Sequence, residues 1–107
     1  MAGLHDPTVI DLVTETQDGQ FVLVISHDEP WTDADDELSR LHAKLNTYAA
    51  FALDEGLVSA YPSSADRPKR VRVDCVTPPT PQVAEILAAA DAALQAYGMR
   101  LEVQQLP

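Results

Sequence analysis

Cysteine occurs once, at Cys75. One cysteine forms no internal disulfide and closes no thiolate-based zinc site. Glycine occurs four times and never in a GxGxxG or GxxxxGK run, so the chain lacks a glycine loop able to cradle phosphates, and no cofactor is expected. Basic residues are scarce, seven against 17 acids, for a formal net charge of -10. That imbalance repels phosphate backbones and anionic lipid, so neither nucleic acid nor a membrane surface is expected as a partner. Long apolar runs are missing too. Met1 to Pro7 carries no basic segment followed by an apolar core, so neither a signal peptide nor a membrane span is expected. A reducing cytoplasm is the simplest compartment.

What remains is the composition of a folded domain. Hydrophobic residues make up 46% of 107 positions, enough for one core and too few residues for two. A single domain over 1–107 is therefore expected. Thr8 to Thr16 alternates apolar and β-branched residues, and Phe21 to Ser26 is nearly continuously apolar. The Asp18-Gly19 pair between them signals a hairpin. After the loop His27 to Asp36, the residues Leu38, Leu41, Leu45, Tyr48, Ala49 and Ala52 fall on one helical face. Thr32 or Asp33 is the expected N-cap and Gly56 the expected residue just past the end. Lys69 to Thr77 alternates as a strand. Thr80 then caps a second helix with Pro81 at its first position, Gly98 stops it, and Met99 to Gln105 alternates again.

The order is ββαβαβ. Right-handed crossovers make the last three strands parallel. The expected fold is an α/β (α+β) two-layer sandwich: a four-stranded mixed sheet of order 1-2-3-4 with two helices packed on one face. Val9, Val13, Val22 and Val24 are then expected on the face turned away from the helices, as an apolar patch suited to an interface. Phe51 lies off the main stripe of its helix and is a partner-binding candidate with them.

The densest polar segment is His27 to Glu37, with six carboxylates and an imidazole. It leaves the carboxyl end of a strand, where ligands of open sheets gather. Asp28, Asp33 and Asp35 are the candidate ligands for a hard cation, although acids in a first helical turn ordinarily serve the helix dipole. Trp31 is the only tryptophan, a core plug or an exposed anchor. Ser26-His27-Asp28 has the residue types of a catalytic triad but, on an extended strand, neighbours point to opposite faces; no catalytic residue is assigned. Arg67, Lys69, Arg70 and Arg72 cluster within six positions. Arg70, Arg72 and Arg100 are expected on the open face beside Asp74 and Glu102, paired across strands or forming an anion or acidic-peptide site.

Ile10-Asp11-Leu12-Val13-Thr14 before the Asp-Gly hairpin, then Pro30-Trp31, Lys44-Leu45-Asn46-Thr47-Tyr48 with Phe51-Ala52-Leu53-Asp54, and Tyr61-Pro62 resemble a small bacterial family of unknown function over nearly the whole chain. The resemblance implies a stand-alone bacterial protein and transfers no functional residue. The function expected from these features is a non-enzymatic cytoplasmic accessory protein, adaptor or immunity-like, acting through its acidic surface. Its partner would be another protein or a second copy of itself. The alternative is a small enzyme or a divalent-cation or ligand-binding domain built on the 27–37 loop.

Overall fold

A computed structural model of the chain describes residues 3–106. Four strands form one sheet of order β1-β2-β3-β4: β1 Leu12–Glu15, β2 Phe21–His27, β3 Lys69–Cys75 and β4 Arg100–Gln105. β1 pairs with β2 antiparallel, and β2, β3 and β4 run parallel. Helices α1 (Asp35–Leu53) and α3 (Pro81–Gln95) make the two crossovers, with a short α2 (Gly56–Ala60) after α1. The expected ββαβαβ order and two-layer arrangement are therefore observed. Leu23, Ile25, Val71, Val73, Cys75 and Leu101, all on one sheet face, bury against Leu41, Tyr48 and Ala52 of α1, Leu57 of α2 and Val83, Leu87 and Leu94 of α3.

Local chemistry explains the boundaries. The hairpin closes through Gln17-Asp18-Gly19, where Gly19 takes φ +85° and its N–H donates to the Thr16 carbonyl at 3.0 Å; a side chain there would be strained. Thr80 caps α3, its hydroxyl accepting from Val83 N at 3.2 Å, with Pro81 next. Gly98, at φ +76°, turns the chain after that helix.

Several expected details are corrected. β1 begins at Leu12, not Thr8. The segment before it bends at Asp6, whose carboxylate takes the Thr8 N–H, and the Asp6 and Val9 carbonyls accept from the Lys44 ammonium at 2.9 and 2.7 Å instead of joining a ladder. α1 is preceded by Ala34, not capped by Thr32 or Asp33. Gly56 opens α2 and does not end α1; Asp54 takes that place. Val13 faces the helices, at the register position of Leu23.

Val22 and Val24 do face away from the helices, yet each is only 1% exposed, so the expected bare valine patch is absent. β2 is an inner strand, and its valines are flanked by Leu12 and Thr14 of β1 and by Arg70 and Arg72 of β3. Arginine stems cover apolar neighbours while their charged heads reach polar partners. Phe51 is half-buried, packs on the core and lies against Gly56, where an added Cβ would come within 2.6 Å of its ring. It is held by the α1–α2 turn and is not a free anchor.

A polar cluster sits inside the core. Lys44 and Asp11 side chains are both 0% exposed and meet at 2.8 Å. The ammonium spends its three protons on Asp11 and the Asp6 and Val9 carbonyls. Asp11 also accepts from Gly3 N (3.2 Å) and Ser26 N (3.1 Å). The Tyr48 hydroxyl donates to the Val24 carbonyl and accepts from Asp11 N at 2.8 Å. A buried ion pair holds only when its remaining donors and acceptors are satisfied in this way. Its consequence is positional: it straps the amino-terminal arm, with the 3-10 turn Gly3–His5, beside the carboxyl end of β2.

Candidate functional site

That end of β2 is where the acidic loop gathers. His27, the last residue of β2, shares its parity with Leu23 and Ile25 and so points to the helix side, just beyond the core. Its ring stacks on Trp31 with centroids 4.0 Å apart. His27 is 7% exposed, and Nε2 finds no hydrogen-bond partner among the described residues. The nearest carboxylate oxygen is Glu37 Oε2, at 3.7 Å, beyond hydrogen-bond reach. Burial pushes the His27 imidazole below its ordinary pKa; Glu37, Glu29 and Asp28 oppose the shift without reversing it. Burial thus favours the neutral ring, in which one nitrogen is an acceptor.

Glu37 is fixed by its place in α1. It is the third residue of the helix, and its Oε1 accepts from Thr32 N (2.9 Å) and Asp33 N (3.1 Å). The carboxylate thus ties down the two residues before the N-cap Ala34, whose own N–H goes to Thr32 Oγ1 at 3.3 Å. One carboxylate oxygen is spent on the loop and the other is left facing His27. Asp33 adopts φ +61°, a conformation uncommon outside glycine but tolerated by aspartate. Its carboxylate takes the Thr80 hydroxyl proton, so the loop is latched to the start of α3.

A cleft of about 180 Å³ opens over this pair, lined among others by Leu4, His5, Glu29, Thr32 and Arg40. On its rim His5 Nε2 lies 3.0 Å from Glu29 Oε1. Arg40 is turned to Asp36, at 3.4 Å. In parallel α/β sheets helix N-termini at this end attract anions. Here the protein's own carboxylates occupy that position, so the vacant chemistry is the opposite one. With the ring proton on Nδ1, His27 Nε2 and Glu37 Oε2, 3.7 Å apart, are two acceptors that can share one N–H-bearing cation.

The residues singled out from sequence fare unevenly. Trp31 is 8% exposed and belongs to the core; it forms the floor under His27 and is not an exposed anchor. Its indole N–H has no hydrogen bond of ordinary geometry among the described residues, although its proximity to Cys75 partly offsets the upward push of burial on that thiol. Asp28 and Asp35 are exposed and Asp33 is engaged with Thr80. Among the described residues no three His, Cys, Asp or Glu side chains converge to hold a metal ion. Asp28, Asp33 and Asp35 are therefore not assembled into a cation site. Arg70 pairs across strands with Glu102 at 3.0 Å, and Arg72 pairs along its own strand with Asp74 at 2.7 Å. Arg100 leaves the open face, wraps the sheet edge and binds Asp91 of α3 at 3.0 Å. All three guanidiniums are thereby paired with the protein's own carboxylates, which leaves the alternative of an anion site without a free arginine among them. Glu37 was not a candidate: it stands three residues after Ala34, so no capping-box spacing announced it.

Among the described residues no helix is long and apolar enough to cross a membrane. The model of a protein family described as a family of unknown function (DUF6572) matches residues 2–106. Comparisons with curated proteins and with solved structures return no match.

Proposed function

Since the chain belongs to DUF6572, a family of unknown function, we propose its role from the cleft itself: it is a non-enzymatic accessory protein of the cytoplasm, adaptor or immunity-like, that captures a lysine or arginine side chain from a basic segment of a partner protein. The observation that carries this reading is the buried, unpartnered His27 Nε2 facing Glu37 Oε2 at 3.7 Å in an acid-rimmed cleft. An unsatisfied buried polar atom is costly unless something completes it. A cationic N–H donor completes both atoms at once, and the exposed Asp28, Glu29 and Asp36 favour its approach.

Trp31, stacked on His27, reports occupancy directly. Titration with a lysine- and arginine-rich peptide is expected to change Trp31 fluorescence saturably, while a glutamate-rich peptide of equal length does nothing. Glu37→Gln should weaken the basic peptide by about tenfold or more, the scale of a lost charge-assisted hydrogen bond. Equal responses to both peptides, or none to either, would sink the proposal.

A further inference from the structure

The acceptor at the bottom of the cleft has a second possible ligand, the proton. His27 closes β2, its backbone standing at the register position of Cys75 in β3. One face of its ring lies on Trp31, with centroids 4.0 Å apart. Glu37 is held as firmly, because its Oε1 accepts from Thr32 N and Asp33 N. Two fastened side chains therefore face each other, Nε2 to Oε2, at 3.7 Å. His27 is more than nine-tenths buried, and Nε2 has no hydrogen-bond partner among the described residues. An imidazole nitrogen has one lone pair, which takes a proton or accepts a hydrogen bond and never both. Once protonated, Nε2 stops accepting and becomes a donor aimed at a carboxylate. Closing from 3.7 Å to about 2.9 Å makes a charge-assisted bond across the space a captured cation would take.

The elements packed against the ring bring charges of both signs. From α1 come Glu37 and, across the cleft, Asp36 and Arg40, which bind each other at 3.4 Å. The loop after β2 brings Asp28 and Glu29, and the amino-terminal turn brings His5, paired with Glu29. β3 brings Cys75, a thiol that burial pushes up and keeps neutral. Burial is the largest influence on His27 and holds the proton off; Glu37, Glu29 and Asp28 invite it, and His5 opposes it. Protonation is thereby moved to the acidic side of the ordinary histidine value.

Building on the capture role proposed above, we propose that the proton is the antagonist of that capture: His27 protonated at Nε2 closes onto Glu37 and expels the basic side chain, so the cleft takes its ligand at neutral pH and gives it up in acid. Occupancy exchanges one proton. The His27–Glu37 ion pair and a free lysine or arginine cation become a neutral His27, an ionised Glu37, the bound cation and a proton released to solvent, and charge balances on both sides. The coupling is reciprocal, so the bound cation in turn lowers the proton affinity of His27. Above the midpoint of His27 the affinity is flat. Below it each pH unit costs about tenfold, because only the fraction of protein with a neutral ring binds.

Two measurements separate the proton switch from the capture role beneath it. In the free protein Trp31, the single tryptophan, reports the charge of the ring stacked on it. Its fluorescence is followed from about pH 8 downward, across the range in which histidines titrate, while circular dichroism stays constant. It should change with one midpoint below 6.5. Glu37→Gln should lower that midpoint, and His27→Gln should abolish it. Calorimetry with the lysine- and arginine-rich peptide over the same range should show an affinity that is flat and then falls about tenfold per pH unit, with up to one proton released per peptide bound. His5→Gln, on the exposed rim, should keep that slope whatever it does to affinity. An affinity that does not change with pH, a slope lost in His5→Gln, or a midpoint that is absent or unmoved by Glu37→Gln overturns the switch and leaves capture standing. A peptide that binds at no pH overturns both.

Discussion

Lys44 is the residue on which most of the amino-terminal third depends. A lysine three residues after Leu41 and four before Tyr48 lies on the buried stripe of α1, and it is tolerated there because Asp11 and two carbonyls consume its charge and its protons. Lys44→Met strands a buried carboxylate and should destabilise the fold by about 3–5 kcal/mol in urea unfolding. Asp11→Asn combined with it should cost less than the sum of the two single changes, because both remove one shared interaction. His27 makes a different prediction. Its folded pKa lies below the ordinary 6.5, so the unfolded chain binds the proton more readily. The neutral ring's contribution is complete above pH 6.5 and is lost as pH falls from there towards the folded value. Melting temperatures of wild type and His27→Gln should diverge over that window, with the variant's curve the flatter.

At the scale of elements, two helix ends matter most. Thr80 both caps α3 and latches the acidic loop through Asp33. Thr80→Ala should cost about 1–2 kcal/mol, the upper part of the range for a lost cap, and Thr80→Ser should restore most of it, as read by thermal unfolding. Gly98 ends the same helix at φ +76°, and an added Cβ there would meet nothing within 4 Å. Gly98→Ala should therefore show the backbone cost alone, about 1–2 kcal/mol. These ends were legible because each announces itself within three or four residues: Thr80-Pro81 at the start, an isolated glycine at the stop. The start of α1 was less legible, because Glu37 satisfies the donors from inside the helix and the position before it is an alanine.

Across the whole molecule, charge follows the direction of the strands. The acids from Asp28 to Glu37 lie at the carboxyl ends of β2 and β3, beside the start of α1, while Lys69, Arg70 and Arg100 lie at the amino ends of β3 and β4. This polarity complements the helix dipoles. Added salt should weaken capture of a basic peptide by screening the attraction. Fluorescence titration over a salt series measures this, and an affinity indifferent to salt would contradict the assignment.

The pattern of periods two and 3.6, punctuated by Asp18-Gly19, Thr80-Pro81 and Gly98, was enough to determine the element order, the strand order and the inward faces of β2, β3, α1 and α3. These depend on spacing along the chain, which short-range sterics and burial read directly. Tertiary structure alone decided what depends on convergence. Asp11 meets Lys44 across 33 positions, Glu37 faces His27, Arg100 leaves the open face for Asp91, and Val22 and Val24 lose their exposure between β1 and β3. A charge's partner is set by distance in space, and the local pattern of a lysine on an apolar stripe, or a valine on an inner strand, does not specify what the fold will bring against it.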